Sequence, residues 1–472
     1  MELTARKWLR RGGIFLAICV GCSIALGIYY RLPDHSRRVP SYAIADGSHT
    51  KLGQANAAQL QAHPGQAGVH LLPDGRDAFV ARAILARQAE QTIDVQYYMY
   101  HQDTVGSLLT QELLAAADRG VRVRILIDDI YGHESEDTWV TLSAHPQIEV
   151  RLWNPWRRNR NRMIQSILRF RDINFRMHSK SFTVDSEFTV LGGRNIGDEY
   201  FNANPEVAFS DIDVVAVGSP IDEVSRIFDE YWNSEFAYPV ESLVRPGSTE
   251  ALSTLRGSRE AILARPATTR YVQALIESDL AAKLAKGAMD FSWSEARVIF
   301  DSPTKKNRDE NSASDLLISQ LAPYITESTR SVYIVSPYFV PGDRAADALI
   351  DLATNGVDVR VLTNSLASND VTAVHAGYAK YRRKLLRGGV RLFEFDEALK
   401  DRDGKRFTWL PGLSKSSLHA KTMVMDGEWM FVGSFNFDRR SLNINNEIGL
   451  LFRHPDLAGK PAHDFAHRVG AV

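Results

Sequence analysis

Two stretches of this chain carry the same chemically capable residues at the same spacing. Each has a histidine, a lysine, an aspartate and an asparagine, which are His178, Lys180, Asp185 and Asn195 in the first and His419, Lys421, Asp426 and Asn436 in the second. Both follow the pattern H-x-K-x4-D-x6-G-[GS]-x-N, with an apolar, strand-like run between the lysine and the glycine. So many matching positions, found twice, indicate a duplicated fold that brings two half-sites together.

The spacing of the first residues suits phosphate chemistry. In a strand, residues i and i+2 project from the same face, so each histidine lies beside its lysine. A neighbouring ammonium lowers the pKa of an imidazole and favours the neutral, nucleophilic ring. Asn195 and Asn436 follow glycine-containing turns, where an amide can donate to an oxyanion. Two copies around one point would hold a phosphate and supply a nucleophile and a general acid.

The sequence points to no metal and no other cofactor. It has no acidic cluster suited to Mg²⁺ or Ca²⁺. The two cysteines, Cys19 and Cys22, both lie in the N-terminal apolar stretch, so the folded part has no thiolate site. We therefore predict metal-free chemistry in which the lysines neutralise the phosphate.

A catalytic histidine also needs a partner that fixes its tautomer. Glu447 lies in a predicted strand after the second pattern, and Asp211 and Asp213 precede the apolar run 214–218. We expect one such carboxylate in each half. For Asp185 and Asp426, at the turn end of each strand, a structural role and a catalytic role are both open. The histidines outside the two patterns are predicted to be bystanders, among them His101, His133, His145 and His375.

Strands and helices alternate in both halves of the body, which indicates α/β sheets covered on both faces. The predicted strands are 69–72, 93–100, 121–128, 296–300, 332–339 and 357–363, and the predicted helices are 76–89, 105–119, 313–325 and 345–354. Gly120 and Gly356 each follow a predicted helix and open a similar strand, 236 residues apart, while the two histidines are 241 apart. Two landmarks with nearly one offset support duplication. The predicted segments are 1–31 (membrane anchor or signal), 32–68 (linker), 69–245 (first half), 246–290 (connection) and 291–472 (second half).

The N-terminus contains a stretch of 18 residues without a charge, Gly13 to Tyr30, which is just long enough to cross a bilayer. Basic residues are denser before it than after it, so the N-terminus is expected in the cytoplasm and the body outside. We favour an uncleaved anchor, since a signal peptide usually has a shorter apolar core. Cleavage near residues 25–27 and a weak lipoprotein-like site at 20–22 remain alternatives.

The charge composition argues against nucleic acid as a partner. Lys and Arg (56) balance Asp and Glu (57), so the net charge of -1 provides no general attraction to a polyanion. One local segment, 153–170, combines tryptophans, arginines and an apolar run, which suits a membrane interface. An exposed basic loop is the equally supported alternative. Residues 378–387 are a second candidate contact, and the sequence gives no indication of oligomeric state.

The duplicated pattern resembles the twin HKD motifs of the phospholipase D superfamily. Flanking passages are most similar to bacterial cardiolipin synthases, in particular the C type, and they are residues 93–100, 176–185, 192–198, 362–371 and 375–379. The resemblance covers about residues 69 to 453. It implies the phospholipase D fold, with two α/β/α halves, mixed and largely parallel sheets, and packing by pseudo-twofold symmetry.

The resemblance also implies a reaction. One histidine would attack the phosphorus of a phospholipid, and the other would protonate the departing headgroup alcohol and then deprotonate the incoming alcohol. By analogy His178 is the nucleophile and His419 the acid and base. The phosphoryl oxygens would be held by Lys180, Lys421, Asn195 and Asn436, and the imidazoles would be oriented by Glu447 and Asp211.

The implied product is cardiolipin, with phosphatidylglycerol as acceptor and phosphatidylethanolamine or phosphatidylglycerol as donor. The implied location is the bacterial inner membrane, with one span and the catalytic body outside the cytoplasm. A hydrolase that releases phosphatidic acid would use the same residues. A nuclease and a non-catalytic lipid-binding protein fit the anchor, the charge and the two intact motifs less well.

Overall fold

Two mixed β-sheets, each covered by helices, form the body of the protein. The computed structural model describes residues 2–36, 38–131, 134–204, 206–285, 289–305, 316–368, 372–395 and 416–459. The strands are β1 (Ala67–Leu72), β2 (Thr92–Tyr97), β3 (Arg122–Asp128), β4 (Ile148–Trp153), β5 (Ser181–Val184), β6 (Phe188–Gly192), β7 (Ala208–Ser210), β8 (Asp213–Gly218), β9 (Ala237–Pro239), β10 (Ser292–Ser294), β11 (Ala296–Phe300), β12 (Ser331–Val335), β13 (Asp358–Asn364), β14 (Arg391–Phe395), β15 (Ser416–Leu418), β16 (Thr422–Met425), β17 (Trp429–Gly433) and β18 (Ile448–Arg453).

The described residues also form fifteen α-helices. They are α1 (Glu2–Tyr30), α2 (Lys51–Ala62), α3 (Gly75–Gln88), α4 (Thr104–Asp118), α5 (Glu136–Ser143), α6 (Arg162–Leu168), α7 (Phe170–Ile173), α8 (Ile221–Trp232), α9 (Thr249–Leu263), α10 (Pro266–Ile276), α11 (Asp279–Ala285), α12 (Leu317–Thr326), α13 (Gly342–Thr354), α14 (Thr372–Arg387) and α15 (Arg439–Asn443), with a 3₁₀ turn at Val240–Ser242. The predicted helix 313–325 begins at Leu317, and residues 313–315 lie outside the described part. Gly120 and Gly356 follow α4 and α13 with φ of 97° and 90°, the left-handed conformation that ends a helix.

The two sheets have the same plan. Their strand orders are β10-β1-β8-β6-β5-β2-β3-β4-β9 and β11-β18-β17-β16-β12-β13-β14. The sheets are mixed, as predicted, but the expectation that they are largely parallel is wrong. Within these two described sheets only β2-β3-β4 and β12-β13-β14 run parallel, and every other pair is antiparallel.

The physical reason is the form of the motif strands. Each predicted apolar run is a tight hairpin, β5-β6 in one half and β16-β17 in the other, because the chain turns at Asp185 and Asp426, which have φ of 52° and 54°. A hairpin returns antiparallel, whereas a parallel neighbour needs a long crossover.

The halves are joined through their sheets. Side chains of β6 and β8 in the first half and of β17 and β18 in the second belong to one buried cluster, which includes Leu191, Val214, Val432 and Leu450. A small parallel sheet of β7 and β15 forms a second junction between the halves. The motif hairpins therefore lie next to the interface, where their ends can meet.

The predicted linker and connection both pack against the first half. Residues before α2 bind it directly: Arg38 donates to the Asn233 carbonyl, and the Ala43 N–H donates to Asp229. The connection forms α9, α10 and α11, which pack on α3 and α4. By strand pairing, β10 still belongs to the first sheet, and the second sheet begins with β11.

One helix of the described residues is long and apolar enough to cross a membrane, at Gly13–Tyr30 within α1. Large apolar side chains along it, such as Phe15 and Ile28, are exposed. The helix is therefore a candidate membrane span that is not buried in the protein core.

Candidate active site

Each histidine segment pairs with a strand of the opposite half. The main-chain N–H of His178 donates to the carbonyl of Asn446 (2.8 Å), and that of His419 donates to the carbonyl of Ser210 (2.8 Å). In both cases a bridge or strand pair between the halves fixes the register. The side chains that follow these two carbonyls are thereby aligned with the histidines.

Those side chains are the carboxylates of Glu447 and Asp211. His178 Nδ1 lies 2.7 Å from Glu447 Oε2, and His419 Nδ1 lies 2.6 Å from Asp211 Oδ2. Each histidine is therefore bonded to the carboxylate of the other half, an exchange that the sequence does not reveal. Asp213, the alternative to Asp211, instead forms a buried ion pair with Arg82.

The two carboxylates differ in their surroundings. Glu447 accepts hydrogen bonds from the hydroxyls of Ser434 (2.6 Å) and Ser441 (2.7 Å) as well as from His178. Asp211 accepts from His419 and from the Ile212 N–H (2.8 Å). In the first half the position of Ser434 is occupied by Gly193, where a Cβ would come within 2.3 Å of Asp211 Oδ1.

Both carboxylates are ionised. Burial acts to raise the pKa of Glu447, but the charges of His178 and Lys180 and the Ser434 hydroxyl hold that pKa below its ordinary value. The pKa of Asp211 is likewise lowered, since His419 and Lys421 outweigh the effect of burial.

Both imidazoles have lowered pKa values in the empty site. Burial lowers the pKa of His178 to about 4, Glu447 opposes this, and Lys180 and Lys421 add to it. Burial and Lys421 also lower the pKa of His419. With Nδ1–H donated to a carboxylate, each neutral ring keeps its lone pair on Nε2. A base or nucleophile is thus available on each side.

The lysines act across the two halves. Lys180 and Lys421 are buried, and each ammonium donates to the carbonyl of its own histidine, at 2.6 Å and 2.5 Å. Burial and the charge of Lys421 together lower the pKa of Lys180 to about 7, against the attraction of Glu447. Because charges from each half change the pKa of groups in the other, the four cationic or basic side chains share one site.

Aromatic rings form the walls around the histidines. Tyr98 lies edge-on to His178, with ring centres 4.9 Å apart, and Tyr200 lies edge-on to His419 at 5.1 Å. Phe209 stacks on the His419 ring at 5.3 Å. These contacts exclude water from the imidazoles and limit their rotation.

The two asparagines are not equivalent. Asn195 accepts from the Met99 N–H (3.3 Å) and donates to the Tyr200 hydroxyl (3.0 Å). The side-chain oxygen of Asn436 is buried and has no hydrogen-bond partner among the described residues. Its amide is therefore the one of the two with more hydrogen-bonding capacity left for a ligand.

Asp185 and Asp426 are not brought to the histidines. The Asp185 carboxylate accepts the main-chain N–H groups of Glu90, Gln91 and Thr92, which lead into β2. Asp426 does the same for residues 329–331 before β12. Both carboxylates close the far end of a hairpin, so of the two roles that the sequence leaves open these contacts favour the structural one.

Two further residues, which the sequence did not single out, position the histidine segments. Asp128, at the end of β3, accepts from the N–H of Met177 (2.8 Å) and pairs with Arg176. Asn364, at the end of β13, binds both the N–H and the carbonyl of Leu418. Both hold the residue directly before a histidine, and only their equal positions at strand ends could have indicated this.

The other histidines lie elsewhere. His101 is near Glu134 and Glu199, and His145 contacts Asp118. His133 is outside the described residues. Among the described residues no group of three or more His, Cys, Asp or Glu is arranged to hold a metal ion.

The repeated fold and the two exchanged histidine–carboxylate pairs define an enzyme of the phospholipase D type. A solved structure, that of phosphatidylserine synthase from Haemophilus influenzae Rd KW20, has a similar fold, with a TM-score of 0.56 at 14% identity over 90% of this chain and 92% of that one. The predicted phospholipase D fold is thereby confirmed, with sheets that are mixed but mainly antiparallel.

Sequence comparison identifies the family within the phospholipase D type. The family described as "Cardiolipin synthase, PLD-like domain" matches residues 84–232 and again 321–469. Cardiolipin synthase C of Escherichia coli (strain K12) is 40% identical over 86% of each chain, and an uncharacterized protein of Helicobacter pylori (strain ATCC 700392 / 26695) is 31% identical over 94% of this chain and 87% of its own. The chain belongs to the cardiolipin synthase family of phosphatidyltransferases, as its motifs predicted.

Proposed function

We propose that this protein is a membrane-anchored cardiolipin synthase that transfers a phosphatidyl group through a phosphohistidine to phosphatidylglycerol. The observation that supports this most strongly is the pairing of each motif histidine with the carboxylate of the opposite half. The similarity to a protein named cardiolipin synthase C, over most of both chains, points the same way.

In the first step, Nε2 of His178 attacks the phosphorus of a donor phospholipid. An N–P bond forms, the bond from phosphorus to the headgroup oxygen breaks, and His419 gives its proton to that oxygen. His419 enters the step as an imidazolium: burial and Lys421 lower its pKa in the empty site, but the entering phosphate anion and the adjacent Asp211 carboxylate both raise it. Headgroup alcohol leaves, and a phosphatidyl-His178 intermediate remains.

In the second step, the hydroxyl of phosphatidylglycerol enters. His419, now neutral, removes its proton, the oxygen attacks phosphorus, and the N–P bond to His178 breaks. Cardiolipin leaves, and His419 carries the proton that the next cycle needs. Each histidine thus returns to its starting state.

The surroundings of the two carboxylates favour this division of roles. Glu447 shares its charge among His178 and two serine hydroxyls, so it stabilises an imidazolium less than an undivided carboxylate would. His178 is accordingly suited to remain neutral as a nucleophile. Asp211 accepts from the His419 ring and from the main-chain N–H of Ile212, so it gives His419 more of its charge.

The lysines and asparagines would hold the phosphoryl oxygens. Lys180 has a lowered pKa in the empty site, and an entering phosphate anion would raise it and keep the ammonium charged. Lys421 and the two amides, Asn195 and Asn436, complete the set of donors. No cofactor is required by this chemistry.

The proposed partners are phosphatidylglycerol as acceptor, phosphatidylethanolamine or phosphatidylglycerol as donor, and the membrane surface, with no role for nucleic acid. The proposed location is the bacterial inner membrane. The arginine and lysine residues before Gly13 favour a cytoplasmic N-terminus and a catalytic body outside the cytoplasm.

The test is the lipid product. The purified full chain is added to vesicles of phosphatidylethanolamine and phosphatidylglycerol, and the lipids are followed by mass spectrometry. We expect cardiolipin to accumulate with the wild type and with His70→Ala, whose ring bonds the Asp290 carbonyl away from the two motifs, but not with His178→Ala. Accumulation of phosphatidic acid alone would identify a hydrolase, and the absence of any product would remove the proposal.

A further inference from the structure

The segment between β4 and the first histidine exposes an apolar surface. On α6 and at the start of α7, Met163 is 71% exposed, Ile167 74% and Phe170 65%. Ile164 and Leu168 extend the same face. Contiguous large apolar side chains on a folded surface mark an interaction site far more often than a single exposed one does.

This outward orientation is fixed by the fold. Gln165, on the opposite side of α6, is fully buried, and its amide binds both the N–H (2.8 Å) and the carbonyl (3.0 Å) of Arg157. Asn161 caps the first turn by accepting from the Ile164 N–H. The helix is therefore held by its polar side while its apolar side is exposed.

The same segment is strongly basic. Residues 156–171 contain six arginines and no acidic residue. Arg158 is neutralised by Asp129 and Glu136, but Arg162 and Arg171 are exposed. An apolar face bordered by exposed guanidinium groups matches the boundary of a bilayer with anionic headgroups.

The segment also touches the end of the candidate membrane span. The guanidinium of Arg160 lies 3.8 Å from the centre of the Tyr29 ring and donates to the Tyr29 carbonyl. Tyr29 and Tyr30 end α1, at the place where a spanning helix would leave the bilayer. The segment that carries the apolar face therefore contacts the C-terminal end of the candidate membrane span.

We infer that residues 156–171, hereafter the docking segment, lie in the surface of the anionic membrane that holds α1. The docking segment leads within a few residues to Met177 and His178, and Arg440 of the second half bonds Asn174 between them. Two contacts with one bilayer, at α1 and at α6, would stop rotation of the body about its anchor and would hold the histidine site at the lipid surface. This inference rests on the membrane anchorage in the proposed function.

The experiment measures depth in the bilayer rather than turnover. Spin labels are attached to the full chain at one cysteine at a time, in vesicles of phosphatidylethanolamine and phosphatidylglycerol. The positions are the natural Cys19 within α1, with Cys22 replaced by Ser, and Ile167→Cys in the docking segment and Ile276→Cys as an exposed control on α10, each with both natural cysteines replaced by Ser. Collisions with oxygen and with a water-soluble nickel complex then give the depth of each label.

We expect the labels at positions 19 and 167 in the lipid, with 167 near the headgroups, and the label at 276 in water. A label at 167 that is as accessible to nickel as the label at 276 would overturn the inference. If 19 is in lipid but 167 is in water, the anchor stands and only the docking segment fails. If the labels at 19 and 167 are both in water, the inference about the docking segment and the membrane anchorage in the proposed function both fail.

A second measurement connects docking to the reaction. Replacing Met163, Ile167 and Phe170 together by Ser should lower turnover on vesicles by about tenfold or more. The triple substitution should leave turnover on a short-chain, monomeric phosphatidylglycerol unchanged. The control Ile276→Ser should leave turnover unchanged on both vesicles and the monomeric lipid. An equal loss on both substrates would mean that the triple substitution damages the fold, and unchanged turnover on vesicles would contradict the inference.

Discussion

The two half-sites are built on one plan but differ at the carboxylate. Glu447 is the longer side chain, and the hydroxyls of Ser434 and Ser441 hold it against His178. Asp211 is shorter and lies against Gly193, where a side chain would collide with it. In each half the length of the carboxylate and the size of the turn residue fit together.

The difference extends to the lysines and the asparagines. Lys421 Nζ lies 3.1 Å and 3.4 Å from the two ring nitrogens of His419, and Asn195 is more fully hydrogen-bonded than Asn436. A symmetric fold thus supports two chemically distinct histidines, as a reaction with one nucleophile and one acid requires. The following predictions test that distinction, from the largest expected effect to the smallest.

Removing each histidine should show which one is the nucleophile. We expect His178→Ala and His419→Ala each to lose at least about 10⁴-fold in turnover, because either loss removes a step of the reaction. With a donor whose leaving group needs no acid, His419→Ala should still form a phosphoryl adduct on His178, and His178→Ala should form none. Mass spectrometry of the peptides reads this directly, and an adduct on His419 would reverse the assignment.

Neutralising each carboxylate should disable the histidine of the opposite half. Glu447→Gln and Asp211→Asn keep the shape but turn an amide toward Nδ1, and the comparable change in a serine-protease triad costs about 10⁴-fold in kcat. With the same activated donor, Glu447→Gln should slow adduct formation on His178. Asp211→Asn should leave adduct formation fast and slow its breakdown. Equal effects on both steps would show that the pairs are not functionally distinct.

The pH dependence should reflect the buried imidazole. Because the pKa of His178 is lowered to about 4, the neutral nucleophile persists well below pH 6 and is lost only as the pH falls through about 4. The rate of adduct formation should therefore decline near pH 4 by about tenfold per unit. In Glu447→Gln, which lacks the charge that opposes this lowering, the decline should move to lower pH. A decline centred near 6.5 in the wild type would contradict the burial of His178.

Exchanging Gly193 and Ser434 should show how far turnover depends on the fit between each turn residue and its carboxylate. Gly193→Ser places a side chain against Asp211, so we expect about 10- to 100-fold lower kcat from a displaced carboxylate. Ser434→Gly removes one hydroxyl from Glu447 and leaves that of Ser441, so a smaller, several-fold loss is expected. Circular dichroism and melting temperatures provide the control that both variants fold. A greater loss in Ser434→Gly would contradict the proposed role of Gly193.

The hairpin aspartates should affect stability and not chemistry. Asp185 is fully buried and accepts three main-chain N–H groups, so Asp185→Asn should cost about 1–3 kcal/mol in the free energy of unfolding. Asp426 is partly exposed and should cost about 1 kcal/mol when changed to Asn. Chemical denaturation measures both. A loss of kcat per folded molecule, without a loss of stability, would return these residues to the catalytic set.

Much of this architecture was predictable because its signals are local. The H-x-K spacing, the alternation of strands and helices, and Gly120 and Gly356 after their helices all depend on residues close in sequence. The sequence predicts one continuous strand where each hairpin lies, because a turn of two or three polar residues at Asp185 or Asp426 interrupts the apolar run only briefly. Turns of this kind depend on a positive φ, which the residue type indicates only weakly.

The exchange of carboxylates was not predictable because it depends on how the halves pack. Glu447 and Asp211 could be named as partners, but their distance of more than 200 residues from the histidines they serve leaves no spacing to read. The roles of Ser441, Asp128 and Asn364 depend on the same non-local contacts. A single sequence therefore indicates which residues form the site more clearly than it indicates which of them are paired.

Because each histidine is paired with a carboxylate of the opposite repeat, the two repeats depend on each other for function. Neither repeat holds a working set of groups, so a truncated product would be inert even if it folded. A substitution that disturbs one of these contacts in one repeat also affects the histidine site of the other repeat. A second substitution in either repeat can compensate for it. The repeats are free to drift apart elsewhere, but at these two contacts they must evolve together.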